Sequence, residues 1–331
     1  MQKNKLYFDV YGHYLTLDGP EPLLAAARDK FADFAAPPTL RPESPATVVY
    51  ARLSPPARPN SASLLFKNSR YSVYLTRAGL RLITYGDLLS CHCNFKKGIF
   101  VINSGDEGHL EELLYLLMHS RFGEFLDAKG IHRLHAGALS LDGRTLAVTG
   151  APGAGKTTLL LSLLEGNREA RLISDDVTLL DSELNLYPLP LRISVNGSAP
   201  DGSGKISRLD GKTKYSLDKS LFETEKKKRK LNFLVFVEKS GKPGIKEISF
   251  PRAFLKLFLP LVVGYGVPQM AEFLLKFNLR DLSGLARISL SRFYCALRLS
   301  LEVKCYLYLR SADGEKNGAL ISEFRKKAFK I

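Results

Sequence analysis

The chain has 331 residues, of which 45% are hydrophobic and 24% charged, enough to bury one large core or two ordinary ones and too apolar for an intrinsically disordered protein. Its formal net charge is +15, and residues 201–331 hold 27 Lys and Arg against 13 Asp and Glu, a net +14 that leaves +1 for residues 1–200. The opening MQKNKLYFDV lacks the apolar core and cleavage site of a secretory signal, and no stretch reaches the roughly 18 uninterrupted apolar residues of a membrane span; a cytoplasmic protein without a membrane partner is expected.

From Leu6 to about Ile102 the pattern is mostly extended. LYFDVYGHYLTL, SLLF, YSVYLTRAGLRLITY and GIFVI are short runs rich in β-branched and aromatic residues, broken by Gly, Asn or Pro, and they predict a mainly antiparallel sheet. Residues 35–60 are crowded with Pro, Ser and Ala, which predicts an irregular connection around one strand, TVVYARL. Cys91 and Cys93 flank His92, but a C-x-C is too tight for the usual zinc knuckle and no second cluster adds ligands. Thiols on a strand are therefore preferred to zinc, and without export no disulfide is expected among these two, Cys295 and Cys305.

At Asp106 the period changes. DEGHLEELLYLLMHSRFGEFLDAKG places Leu110, Leu113, Leu114, Leu117 and Met118 on one face and predicts one helix or two. HAGALSLDGRTLAVTG follows as two strands joined by the hairpin-turn dipeptide Asp142-Gly143. A glycine-rich turn comes next, then a helix to about Leu164 and a strand RLISDDVTLL. LNLYPLPLRISV and LNFLVFVE read as strands, with residues 203–230 as a polar loop ending in KKKRK, Lys226 to Lys230. That run is either a solvated face, the commoner outcome for a charge run, or a docking patch for an acidic protein, a peptide or an anionic phosphate. Nucleic acid is not expected, because no aromatic residues interleave with the basic ones. From Phe250 onward PRAFLKLFLPLVV, PQMAEFLLKFN and LSRFYCALRLS predict helices, followed by a strand, VKCYLYLR, and an amphipathic tail, LISEFRKKAF. FLKLFLPLVVGYGV is interrupted by Lys256 and Pro260 and reads as a core helix, not a membrane span.

The chemistry concentrates in the glycine-rich turn. Gly150-Ala151-Pro152-Gly153-Ala154-Gly155-Lys156-Thr157 fits G-x-x-x-x-G-K-[ST] and lies between a predicted strand and a predicted helix. Glycines let the backbone curl so that successive N–H groups face phosphate oxygens, and the helix N-terminus adds its positive dipole end. Lys156 would balance β- and γ-phosphate charge, the Thr157 hydroxyl would reach a magnesium ion, and Thr158 closes the nucleotide-binding stretch. The competing reading is a structural strand-to-helix turn with a structural lysine. The chain has no N-K-x-D for guanine and no L-S-G-G-Q, since the L-S-G at 282–284 lacks the rest.

Asp175 and Asp176 close the apolar segment RLIS beside this loop. On a continuing strand they would face opposite ways, one toward metal and phosphates and the other toward an incoming hydroxyl. If the strand has ended, that rule lapses, and the pair could simply form a turn. His135 opens HAGALSLDG; a lone histidine near an apolar strand is as readily structural as functional, and His132 competes with it.

L-H-A-G-A-L, G-A-P-G-A-G-K-T-T-L and L-I-S-D-D-V, taken together, resemble the catalytic domain of HPr kinase/phosphorylase and the HPr kinase-related proteins over Leu134 to Val177. That fold is shared more distantly with ATP-dependent phosphoenolpyruvate carboxykinase. The resemblance implies an α/β protein with a P-loop kinase core of the HPr kinase / phosphoenolpyruvate carboxykinase type over residues 105–331, with a basic, helix-rich C-terminal part; it says little about residues 1–104, which their own pattern marks as a mainly antiparallel α+β region. It implies ATP and Mg²⁺ as cofactors and transfer of the γ-phosphoryl group to a hydroxyl, usually serine, of a protein, peptide or small molecule, in a homo-oligomer. By position Asp175 would be the general base, Asp176 would help hold the metal, and His135 would contact phosphate beside Lys156 and Thr157. The R-G-L-G-I segment of phosphorylase-competent members is absent and Arg192 in PLRISV is the nearest arginine, so HPr as acceptor and reversal by inorganic phosphate are not carried over. A reading from another class is a regulatory or assembly protein that senses ATP without transferring phosphate. The paired acids argue against it, because binding alone needs one metal-associated carboxylate.

Overall fold

Alternation of apolar and polar residues in Lys5–Val10 and His13–Asp18 sends Phe8, Val10, Leu15 and Leu17 to one buried face. The two strands pair antiparallel through a two-residue turn in which Tyr11 and Gly12 have φ of 53° and 87°. They begin an eight-stranded sheet that continues through Thr47–Leu53, Ile99–Ser104, Leu89–Asn94, Arg81–Tyr85, Ser72–Leu75 and Ser63–Lys67. All neighbours are antiparallel except at Thr47–Leu53, which runs parallel to both of its partners. The computed structural model describes residues 5–38, 47–165, 167, 169–195, 204–207, 213–217, 219–267 and 279–329.

The extended pattern of this region hides one helix, Glu21–Lys30. Its signals are conventional: a proline in the first turn, Glu21 at the start, Arg28 and Lys30 at the end, and Leu23, Leu24 and Ala27 buried on one side. The helix predicted after Asp106 is continuous over 22 residues, Glu107–Ala128, and Asp106 caps it by accepting from the His109 N–H at 2.8 Å. Leu110, Leu113, Leu117, Phe122 and Leu126 pack it against the eight-stranded sheet. The same core takes in Val177, Leu179, Leu189 and Leu191 from beyond the glycine-rich turn, so this sheet and the site-bearing half of the chain are buried against each other.

The second sheet has six strands in the order Arg171–Ser174, Ala136–Leu141, Arg144–Gly150, Phe233–Lys239, Lys304–Arg310 and Gly244–Glu247. Arg144–Gly150, Phe233–Lys239 and Lys304–Arg310 run parallel, which brings their C-terminal ends to one edge. Asp142 and Gly143 form the predicted hairpin turn, with φ of 48° and 73°. Both faces of the sheet are covered by helices. Phe250–Leu257 and Leu279–Glu302 contribute Ala253, Leu257, Ala296 and Leu299 on one side; Lys156–Leu164 and Gly314–Phe329 contribute Leu160, Leu163, Phe324 and Ala328 on the other. The molecule is thus a mixed α/β protein with several sheets and six α-helices among the described residues. No helix among those residues is long and apolar enough to cross a membrane.

Other runs also differ from their sequence expectation. RLISDDVTLL is two strands, Arg171–Ser174 and Thr178–Asp181, which join different sheets. LNLYPLPLRISV likewise splits into Asn185–Tyr187 and Ile193–Val195, since Pro188 and Pro190 cannot donate to a ladder. PRAFLKLFLPLVV is α-helical only to Leu257; Phe258–Val263, which contains the donor-less Pro260, is a π-helical turn. The helix expected over PQMAEFLLKFN, residues 268–278, lies outside the described residues. Within the polar loop expected at 203–230, Gly204–Ser207 and Thr213–Leu217 form a small sheet with Ile193–Val195. Cys91 and Cys93 are buried side by side with their Sγ atoms 3.5 Å apart, and all four cysteines are buried thiols.

Candidate functional site

The strand Arg144–Gly150 ends at the glycine-rich turn, and the helix Lys156–Leu164 starts directly after it. Two glycines are demanded by geometry. A Cβ on Gly150 would lie 2.5 Å from the carbonyl oxygen of Val237, and Gly155, the helix N-cap, has φ of 108°. Ala151, Pro152 and Gly153 form the exposed crest of the turn, Ala154 is buried beneath it, and Thr158 faces outward. The first-turn amides that follow have no acceptor within the helix and carry the positive end of its dipole. Lys156 folds back into the turn, its Nζ donating to the carbonyls of Gly150 at 3.1 Å and Ala151 at 3.3 Å. Burial lowers its pKa, against the opposing pull of Asp176 and Asp175.

The break after Arg171–Ser174 delivers the acidic pair to this turn. Because the strand has ended, the two residues do not follow strand alternation: Asp176 sits in the left-handed region with φ of 60°. Asp175 is buried, with Oδ1 accepting from the Thr157 hydroxyl at 3.2 Å and Oδ2 from the Ser194 N–H at 3.0 Å. Burial, followed by the negative charge of Asp176, pushes its pKa up to about 7 against the pull of these hydrogen bonds. Asp176 is about a third exposed, and its Oδ2 lies 3.8 Å from Lys214 Nζ. Thr157 and the two carboxylates are hard oxygen donors of the kind that hold magnesium together with phosphate oxygens.

His135 stands at the junction of Ile131–Leu134 and Ala136–Leu141 and is 8% exposed. Its Nδ1 donates to the Asp176 carbonyl at 2.9 Å, which in the neutral ring leaves the lone pair on Nε2. Burial and then the Lys156 charge lower its pKa, so the ring is neutral at physiological pH. The backbone at Gly266 closes over the ring, since a Cβ there would lie 2.5 Å from His135 Cδ2.

His132, its competitor, is committed elsewhere. It is fully buried, with Nδ1 hydrogen-bonded to Asp127 Oδ1 at 3.0 Å and Nε2 to Ser291 Oγ at 2.8 Å. Arg192 is also occupied, with Nη1 donating to Glu112 at 3.0 Å and its guanidinium 3.7 Å above the Tyr115 ring. The basic run is largely tied to its own chain: Lys226 pairs with Asp33, Arg229 donates to Glu225 at 2.7 Å, Lys230 to the Glu183 carbonyl, and Lys228 lies over Tyr187.

The structure therefore gathers Gly150 to Thr157, Asp175, Asp176 and His135 in one place. It adds two groups that sequence reasoning missed, the Ser194 amide and Lys214. A backbone N–H has no residue-type signal, and Lys214 is one lysine among many in a polar stretch.

No family model matches the chain, and no curated protein matches it. Among solved structures it is similar to the Hpr(Ser) kinase/phosphatase from Coxiella burnetii at 14% sequence identity and a TM-score of 0.26, over 59% of this chain and 97% of that chain.

Proposed function

We propose that this protein is an ATP-dependent kinase that transfers the γ-phosphoryl group to a hydroxyl, that of a serine first among them, on a protein, peptide or small molecule. The observation that carries the reading is Asp175: a buried carboxylate with a pKa raised to about 7, hydrogen-bonded to Thr157 on a glycine-rich turn that opens a helix. A base poised near neutrality is what a weakly acidic alcohol requires.

Phosphoryl transfer needs positioning and charge neutralisation more than covalent help. The curled main chain of Gly150 to Gly155 and the first-turn amides would grip the polyphosphate. Lys156 would exchange its two carbonyl acceptors in the turn for phosphate oxygens. Asp175 would take the proton of the acceptor hydroxyl, held in place by the Ser194 amide. His135, neutral and oriented by the Asp176 carbonyl, would stand beside the transferred group. Thr157 and Asp176 would hold Mg²⁺, which when bound supplies charge neutralisation across the β- and γ-oxygens.

The test is incubation with γ-labelled ATP and a cell extract, then separation of labelled species. Label on a discrete acceptor supports the kinase. Tight nucleotide binding with neither transfer nor hydrolysis would replace it with the regulatory nucleotide-sensor reading.

A further inference from the structure

The acidic pair flanks the loop-bearing strand on one side; on the other side the sheet brings up an arginine. Lys304–Arg310 lies two places along from Arg144–Gly150, with Phe233–Lys239 between them and all three parallel. Val237 is level with both Gly150 and Tyr308, so Arg310 stands just beyond the level at which the glycine-rich turn begins. Its side chain reaches the turn. A Cβ on Gly155 would lie 2.8 Å from Arg310 Cδ and 2.9 Å from its Nη1, which means that the stem and guanidinium rest on the backbone immediately before Lys156. Glycine at 155 thus makes room for this arginine as well as allowing the left-handed backbone.

Arg310 is half-buried, and among the described residues no carboxylate pairs with it. This sets it apart from Arg192, held by Glu112, and from Arg292, held by Asp127. An arginine without a carboxylate partner keeps its fork of N–H donors open to an arriving anion. Among the described residues, the helix-opening glycine turn it rests on is an anion-binding geometry within its reach.

We propose that Arg310 is a nucleotide-contacting residue that supplies a second positive charge to a bound nucleoside polyphosphate, from the Gly155 side of the turn and opposite Asp175 and Asp176. This rests on the nucleotide site proposed above. Arginine suits the position because a planar fork bonds phosphate oxygens in pairs. Its role is binding and alignment; it moves no proton.

Equilibrium binding of Mg-ATP and of AMP to the full chain tests this, with Arg310→Gln, Arg310→Lys and Lys156→Ala alongside the unaltered protein and with thermal melting of each without nucleotide. The expected result is that Arg310→Gln weakens ATP about tenfold, the usual worth of a charge-assisted contact. AMP affinity should change much less, Arg310→Lys should recover most of the loss, and melting without nucleotide should stay put. ATP affinity within twofold of the unaltered protein in Arg310→Gln, while Lys156→Ala abolishes binding, overturns the role of Arg310 and leaves the nucleotide site standing. Equal losses in the Gln and Lys variants with lowered melting overturn it too, by showing a packing role. No ATP binding by the unaltered protein would sink both readings together.

Discussion

Two buried aspartates, Asp127 and Asp175, have opposite fates. Asp127 accepts from His132, from Arg133 Nη2 at 3.1 Å, and from Arg292 through Nε at 3.0 Å and Nη2 at 2.6 Å. Burial alone would raise its pKa, but the His132 hydrogen bond and the two guanidinium charges hold it well below the usual carboxylate range. The donors to Asp175 are neutral, the Thr157 hydroxyl and the Ser194 and Asp176 amides, and a like charge stands next door, so burial prevails and its pKa rises to about 7. The first carboxylate locks the long helix Glu107–Ala128, the strand Ile131–Leu134 and the helix Leu279–Glu302 together. The second is left near its titration point beside the glycine-rich turn. A buried acid is a structural pin or a reactive group according to its neighbours.

The sharpest way to break that contrast is to remove each carboxylate in turn. Asp127→Ala strands Arg133, which is wholly buried, together with Arg292, and should cost about 3–5 kcal/mol of folding stability, as breaking a buried ion pair generally does. Urea unfolding measures it, and a loss under 1 kcal/mol would show that the cluster is not a pin. Asp175→Asn should leave the unfolding midpoint nearly unchanged, because a carboxylate already raised toward neutrality gains little from its charge.

A second test uses acid. His13, packed in the N-terminal core, has its pKa lowered to about 4, first by burial and then by the charges of Arg121 and Lys129. Its unfolded value is 6.5. Between these values the unfolded chain binds a proton that the folded chain refuses, so stability falls as pH drops from about 6.5 to about 4 and is flat above. The full effect is about 3 kcal/mol. His119, buried and facing Arg133 and Arg192, is lowered also and adds with the same sign. The urea midpoint should fall between pH 7.5 and pH 5, and fall less in His13→Gln. Asp127 is lowered as well, here because its charged form is favoured; it stays charged through this window and loses its contribution only as pH falls below the usual carboxylate range.

On the reactive side, Asp175→Asn should retain ATP but lose phosphoryl transfer by about a hundredfold or more, the ordinary worth of a general base. Single-turnover transfer of labelled phosphate reads this directly, and undiminished turnover would remove Asp175 from the mechanism. The smallest effect is expected at the surface. Lys226→Ala breaks an exposed pair with Asp33 and should shift stability by less than about 0.5 kcal/mol, a change at the edge of detection in urea unfolding.

Local patterns made much of the fold legible. The hairpin at Asp142-Gly143, the apolar stripe of Glu107–Ala128 and the strand, glycine turn and helix around Gly150 are encoded within a few residues of one another. Glu21–Lys30 was missed: its proline and terminal charges are helix signals, but its short apolar face is lost among extended runs. The split of RLISDDVTLL was not legible, because Thr178–Asp181 leaves one sheet to pair with Ile131–Leu134 in another, and only packing rewards that turn. Arg310, Lys214 and the Ser194 amide were equally hidden, since strand order and chain return bring them to the site.

By itself, then, the sequence determined which groups are available: a glycine turn able to curl, a lysine and a threonine fixed to its helix, two adjacent acids, and two histidines close together. Only the tertiary structure decided which histidine is consumed by an aspartate and which faces the turn, which arginine is paired with a carboxylate and which, among the described residues, is not, and which buried acid is held charged. The reason is physical: charge state depends on desolvation and on neighbours within a few ångströms, and in this chain those neighbours come from strands and helices far apart in sequence.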